Sequence, residues 1–551
     1  MGSNTVATID GQSRFNAIFS KYLNSSDSDI SKFVESIPSK FDQATDALRD
    51  YPWTRPSEAV ISNRQRLKNA VTKFHKRAGT LNDKILGQIE LLDYEKSKIY
   101  VGIHQPNLFA FSGVFKKIVL LQALADNSKD NDFKIIPLFL VVDHDFMDDK
   151  WMHIAKLPSI RSASGILDLR YPINDTKRWK ISSKTEPPTR SLIKSWENIV
   201  YNWIKNSNNL SKPQLKKLYS RFEVFWRLVE HSATVAENYA EFNSIIMSRI
   251  ANEIWGYNTI FVNLSDLSSV FERGYNYLLS NNEVYLESLD KSETFFRERG
   301  IFTGVSANLN KHSPLWLHCS CGSKASSKIM VNDDQCTLIG RCISCKKYLS
   351  LAIGKTSDIS IPKDKIQMVS PRAIPILLLL SRELSITGYI SGTGGSIGYT
   401  IVGKKVFDDL KVSLPIMVLW AGTDVYSGIG QREASDYLSE NSISNVSNFL
   451  TAKNKEFNDL KDRIKPLISR RNLIYNDEES LRKLLDELFR YKQEQRAIKD
   501  TLKNVQKSKN ALKLKSCIID YAVNLGLENA EKEWSSNLVK NNDLTKPVLI
   551  N

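Results

Sequence analysis

Long apolar runs are missing from this chain. The two longest, residues 135–142 and 374–380, are less than half of the roughly 20 residues needed to cross a bilayer, which excludes a membrane-spanning helix. The first of them reads as a buried strand. The segment from Met1 to Val6 has no basic region leading into an apolar core, and Val6 stands where a myristoylation signal places Ser or Thr. The expectation is a cytoplasmic protein. Internal repeats and low-complexity tracts are absent, and 42% hydrophobic with 25% charged residues excludes collagen-like, mucin-like and largely disordered chains. Cysteine is sparse, and five of the six cysteines fall between Cys319 and Cys345. That clustering suits a metal site in a reducing compartment better than a disulfide framework.

What is present is enough chain for roughly three or four structural units at about 150 residues each, since there are 551 residues. Lys and Arg total 76 against 61 Asp and Glu, a formal +15. This excess suits nucleic acid, anionic lipid, nucleotides or phosphorylated metabolites equally, so it fixes the sign of a partner and no more.

The pattern along the chain divides it. Residues 1–96 read as a helical lead-in, with Phe15, Ile18, Phe19 and Tyr22 at helical spacing and Leu67, Val71 and Phe74 recurring in a basic helix. From Lys98 a β-run, Ile99-Tyr100-Val101-Gly102-Ile103, ends in the turn His104-Gln105-Pro106-Asn107. A helix-period run over 113–125 and a strand over 134–142 follow, so this is a βαβ unit and a parallel sheet is expected. Residues 97–430 then form a core of α/β class built on that parallel sheet, carrying a helical insert over 151–250 and a cysteine-bearing insert over 315–350. A further short strand over 259–264 ends in Ser265-Asp266, and a strand from Thr387 breaks into a glycine-rich turn reaching Gly398.

The C-terminal quarter differs in kind. Leu481, Leu484, Leu488, Tyr491, Gln495, Ile498, Leu502, Val505, Lys509 and Leu512 alternate steps of three and four, a heptad seam. A looser stripe through Val446, Leu450, Phe457, Leu460, Ile464 and Leu467 precedes it. The expectation is an antiparallel coiled-coil arm over 431–525 that closes on itself or pairs two copies in a homodimer, followed by a tail over 526–551. Two ordinary helices packed on the core are the alternative.

Three constellations carry chemistry. Cys319-x-Cys321 and Cys342-x-x-Cys345, with Gly322 and Gly340 beside them, offer four thiolates on two tight turns. This is the demand of a structural Zn2+ in a zinc ribbon, with His318 or Cys336 as a substitute ligand. Four protein ligands leave no open position, so such a site stabilises a knuckle and activates no water. The second constellation joins His104, Gln105 and Asn107 at one strand end to Asp143, His144 and Asp145 at the next. The carboxyl ends of parallel strands form the ligand crevice, so the two clusters are expected to face one site. His104, His144 and Asp145 are the candidate catalytic groups, although a single strand-end histidine equally serves as a structural hydrogen bonder. Asp143, His144 and Asp145 can all meet a ligand only if the chain turns there. The third is the turn with Gly392, Gly394, Gly395 and Ser396, whose backbone N–H groups can approach a phosphate or another anion. It is neither a Walker A motif nor G-x-G-x-x-G, and a flexible turn is the alternative. Ser370, Arg372 and Arg382 lie just upstream as possible sources of positive charge and hydrogen bonds.

In this order the pieces resemble the bacillithiol-biosynthesis cysteine-adding enzymes (BshC). The resemblance runs through Ile99 to Phe109, Ser112-Gly113 with Lys116 and Lys117, the strand entering Asp143-His144-Asp145-Phe146, Ser370-Pro371-Arg372, and Gly388-Tyr389-Ile390 into the glycine turn. It implies a Rossmann-like core related to adenylate-binding ligases, a helical arm that pairs subunits, and a reaction adding cysteine to an amino-sugar, glucosaminyl malate. His104 stands where that family has Gln, Ser396 replaces an acidic residue, and the zinc ribbon is an addition. Two other readings use the same residues. The His104-Gln105-Pro106-Asn107 turn is similar to that of WbqC-like sugar-pathway proteins. A zinc ribbon beside a basic arm fits a nucleic-acid-binding protein, against which acids such as Asp486, Glu487 and Glu494 interrupt the basic residues.

Overall fold

The computed structural model describes residues 36–127, 132–207, 210–301, 303, 305, 312–392, 396–474 and 477–550. The helical stripe expected through Phe15, Ile18, Phe19 and Tyr22 lies outside them. Helix α1 (Phe41–Asp50) and helix α2 (Glu58–Ala78) lead in. In α2 the Ser57 side chain caps the amino end, and Leu67, Val71, Phe74 and Ala78 bury one face at helical spacing. Gly79 ends the helix with φ +72°, a left-handed conformation that favours glycine.

The core follows. Strand β1 (Ser97–His104), helix α3 (Ser112–Asn127) and strand β2 (Lys134–Val141) make the expected βαβ unit. A hairpin, β3 (Ile154–Pro158) with β4 (Ile166–Arg170), and helices α4 (Arg190–Lys205), α5 (Lys212–Val235) and α6 (Tyr239–Arg249) form the helical insert before β5 (Ile260–Asn263). An antiparallel sheet then runs through β6 (Leu315–His318), β7 (Lys324–Asn332), β8 (Gln335–Arg341), β9 (Tyr348–Lys355), β10 (Asp358–Ile359) and β11 (Val369–Pro371). Helix α7 (Ala373–Leu384), β12 (Ile386–Gly392), helix α8 (Ser396–Asp409) and β13 (Ile416–Trp420) return the chain to the core.

The main sheet has the order β13-β12-β1-β2-β5, all strands parallel. The chain builds outward from β1 in one direction and then in the other, which is the doubly wound Rossmann arrangement with its switch point between β1 and β12. Alternation along the strands explains the two-sided core. Tyr100, Phe139 and Val141 face α3 and the helical insert, whereas Ile99, Val101, Leu138 and Leu140 face α2, α7 and the antiparallel sheet.

Helices α9 (Val446–Arg471) and α10 (Glu478–Leu512) pack along each other. Val446, Phe449 and Leu450 meet Val505 and Leu512, while Ile464 and Leu467 meet Leu484 and Leu488, so the hairpin is antiparallel. Leu484, Leu488, Ile498 and Val505 are buried as the heptad pattern requires. Near its end the seam rotates, and Ser508 and Ala511 are buried in place of Lys509. There α10 rests on β3 and β4, with Asn510 Nδ2 donating to the Ser164 carbonyl at 2.9 Å. No helix among the described residues is long and apolar enough to cross a membrane.

Candidate functional site

The carboxyl edge of the sheet gathers the polar strand ends. At the switch point β1 delivers His104, whose Nδ1 lies 3.0 Å from the Gln105 carbonyl and whose ring packs edge-on against Phe111. Burial, reinforced by the nearby Lys117 charge, pushes the His104 pKa down to about 3, so the ring is neutral. Lys117 donates to the Ile103 carbonyl at 3.0 Å, and its own pKa is lowered to about 8 by burial. A Cβ on Gly392 would stand 3.6 Å from the Lys117 side chain, so the end of β12 adjoins this ammonium. Gly394 and Gly395 lie outside the described residues. Ser396 opens α8, at whose amino terminus backbone N–H groups and the helix dipole favour an anion.

One strand over, the chain turns after Val142, as a joint role for Asp143, His144 and Asp145 demands. The three side chains diverge. Asp143 accepts hydrogen bonds from the Ser265 N–H at 2.9 Å and from the Ser265 hydroxyl, which ties the end of β2 to that of β5. Burial raises its pKa to about 7, against the lowering effect of the Ser265 bonds. Asp145 accepts from Gln105 Nε2 at 2.7 Å, so the β1 and β2 clusters are joined directly. His144 turns toward the antiparallel sheet and meets the His318 ring edge-to-face at 4.9 Å. Its Nδ1 is buried with no hydrogen-bond partner among the described residues, and burial holds its pKa well below the ordinary histidine value.

His144 and His318 line a cleft of about 570 Å³ with Lys184, Ser265, Asp266, Arg66, Lys73 and Arg77. Arg77 is engaged by Glu237 and Glu241. His104 is not part of this lining, so the two candidate histidines do not share this cleft.

Asn107 is buried with its Oδ1 unpartnered among the described residues, and its N–H bonds the Gln105 carbonyl at 2.9 Å. Ser370 on β11 sits behind His318, its hydroxyl 2.8 Å from His318 Nε2. Arg372 donates from Nε to the Ser313 carbonyl at 2.9 Å and stacks on Trp316, leaving Nη2 without a partner among the described residues. Arg382 belongs elsewhere. Helix α7 runs back against the strands, which puts Arg382 beside Ser97 and Ile386 at the amino edge of the sheet, remote from the glycine turn.

Sequence reasoning missed Lys324. Its Nζ donates to the His144 carbonyl at 2.5 Å from between the Phe146 and Trp316 rings, and burial lowers its pKa to about 8. Nothing local distinguishes it from solvated lysines, although its place just past the first cysteine pair fixes it on the knuckle.

The sulfur atoms of Cys319, Cys321, Cys342 and Cys345 all lie within 4.8 Å of one another. The pairs Cys319–Cys345 and Cys321–Cys342 are 3.5 and 3.6 Å apart. Disulfides require about 2.05 Å, whereas a tetrahedral zinc with bonds of about 2.3 Å sets its sulfurs about 3.8 Å apart. The donor set therefore fits a metal ion. Each knuckle turns through a left-handed residue, Gly322 at φ +85° and Lys346 at φ +61°. Cys336 lies buried on β8 outside the cluster, and His318 is committed to Ser370 and His144, so neither substitutes as a ligand.

A doubly wound parallel sheet with polar clusters at adjoining carboxyl ends defines a Rossmann-like ligand-binding protein. Residues 5–224 match the family model described as bacillithiol biosynthesis BshC, N-terminal Rossmann-like domain, and over this span the chain is BshC-like. The match takes in both the His104 turn and the Asp143-His144-Asp145 turn. No curated protein matches the chain.

Proposed function

We propose that the protein is an enzyme of low-molecular-weight thiol biosynthesis that joins the cysteine carboxyl group to the amine of an amino-sugar such as glucosaminyl malate. The observation that carries this reading is the Gln105–Asp145 hydrogen bond, which unites the two clusters of the matched domain at one strand edge. In this reaction the amine nitrogen bonds to the cysteine carboxyl carbon as that carbon's bond to one oxygen breaks, and the oxygen would leave on a phosphate of the nucleotide co-substrate. The incoming amine must shed a proton, and the neutral ring of His144, which lines the cleft, would take it. Asp143 fixes the turn through Ser265, and Asp145 would attract the substrate ammonium. Lys184, at the cleft wall, suits the carboxylates of the sugar acceptor.

The switch point is the place for an anionic co-substrate. Lys117, His104, Gln105, Asn107 and the amino terminus of α8 would hold the phosphates of an adenine nucleotide, which would supply activation of the carboxyl group. The four thiolates bind a structural Zn2+. Two copies pair through the arm, whose Leu473, Leu485 and Phe489 are exposed.

His144→Ala tests the assignment. It is expected to abolish product formation while the folded fraction and metal content stay unchanged, and unaltered turnover removes His144 from the mechanism.

A further inference from the structure

The cysteine knuckle reaches the candidate site by three contacts, all within a few residues of its thiols. Lys324 Nζ donates to the His144 carbonyl at 2.5 Å. His318, adjacent to Cys319, packs its ring on that of His144 at 4.9 Å. The Gly322 carbonyl accepts from the Ile181 N–H at 2.9 Å, and the next residues hold the site turn in place. Ser182 N–H bonds the Asp145 carbonyl and Ser183 N–H the Asp143 carbonyl, each at 3.0 Å, while the Ser182 hydroxyl bonds the same Asp143 carbonyl at 2.8 Å. The turn carrying the proposed base is thus clamped between the knuckle and the 181–185 segment that the knuckle itself holds.

A knuckle that only stabilised its own sheet would not need a buried ammonium. Lys324 is 3% exposed, and its Nζ lies over the Phe146 and Trp316 rings. Burying a charge is costly unless its partner is fixed in place. That partner is the main chain of the site turn, with the Asp143 and Asp145 charges nearby. Without a metal the clustered sulfurs take up protons and nothing ties them together, so the segment joining Cys319 to Lys324 loses its anchor.

We propose that the knuckle is a working part of the ligand site: metal held by the four thiolates keeps Lys324 and His318 on the Asp143-His144-Asp145 turn, with Lys324 the residue that positions His144. Metal occupancy then controls the geometry of the site across an interface, and losing the metal disarms the turn before it unfolds the Rossmann core. The inference rests on reading this turn as the reacting site, but its test reads geometry and needs no turnover.

Full-length protein labelled with nitrogen-15 at its seven histidines is compared by NMR in three forms: zinc-replete, stripped with a chelator, and zinc-replete Lys324→Met. His144→Gln and His318→Gln assign the two signals. The expected result is that the His144 and His318 signals shift in both the stripped protein and Lys324→Met, while His75 on α2 and His231 on α5 keep theirs. Lys324→Met should also retain the wild-type zinc content. An unmoved His144 signal in Lys324→Met overturns the proposal. So does a chelator effect that disturbs every histidine alike, which is general loss of fold, or a protein that takes up no zinc under reducing conditions. A wild-type protein that forms no product bears on the proposed reaction alone and leaves these signals readable.

Discussion

Gln105 Nε2 donates a 2.7 Å hydrogen bond to Asp145 Oδ2, across 40 residues of chain and the width of one strand pair. The register of β1 on β2 makes this possible. His104 pairs with Val141, and the Val142 N–H bonds the His104 carbonyl at 2.8 Å, so both strands stop at one level and their following residues share the edge. One amide thereby ties the end of β1 to the turn that follows β2.

Gln105→Leu removes that bond while keeping much of the side-chain volume. A hydrogen bond to a charged group contributes about 1.5–3 kcal/mol, so kcat/KM for product formation should fall about ten- to a hundred-fold. Steady-state kinetics with each substrate varied checks it.

Asp143 gives the site a pH signature. Its folded pKa of about 7 lies above the unfolded carboxyl value, so the folded state holds the proton more tightly. The contribution of Asp143 to stability is therefore complete below the unfolded pKa of about 4 and is lost as pH rises through about 7. Asp143→Asn should remove this component, and the stability gap between variant and wild type should shift in the variant's favour across that window. Denaturant melts from pH 4 to 8 measure it.

The four clustered cysteines stand apart from Cys336 and Cys517. Metal analysis of reduced protein should give one zinc per chain, retained in Cys336→Ser and lost or sharply weakened in Cys319→Ser and Cys342→Ser. Retention in Cys342→Ser would contradict the four-thiolate site.

On the arm, Leu488 is 3% exposed and Phe489 is 62% exposed. Leu488→Ala should destabilise the hairpin by about 2–5 kcal/mol through cavity formation. Phe489→Glu should leave the thermal midpoint nearly unchanged and, by the proposed pairing, convert a dimer to a monomer in light scattering.

The parts of this structure legible in the sequence are those with local causes. The βαβ unit follows from period-two and helical-period signals lying side by side, and the four-cysteine cluster from the cysteine spacing. The seam of α10 follows from its heptads until α10 meets β3 and β4, where tertiary packing rotates it onto Ser508 and Ala511. Lys324 and His144 lie 180 residues apart, and only docking of the antiparallel sheet onto the turn brings them together. The position of Arg382 depends on the direction of α7 relative to the sheet, which sequence proximity to the glycine turn does not reveal. The divergence of Asp143, His144 and Asp145 is likewise set by three different neighbours, Ser265, His318 and Gln105.

The central claim is the joining of cysteine to an amino-sugar. Zinc-replete protein incubated with cysteine, glucosaminyl malate and an adenine nucleotide, then followed by mass spectrometry, tests it most directly. The account predicts a new species with the summed mass of the two substrates less one water, formed by the wild type and absent with His144→Ala. Folded, metal-loaded wild-type protein that yields no such species, with or without nucleotide, would contradict it.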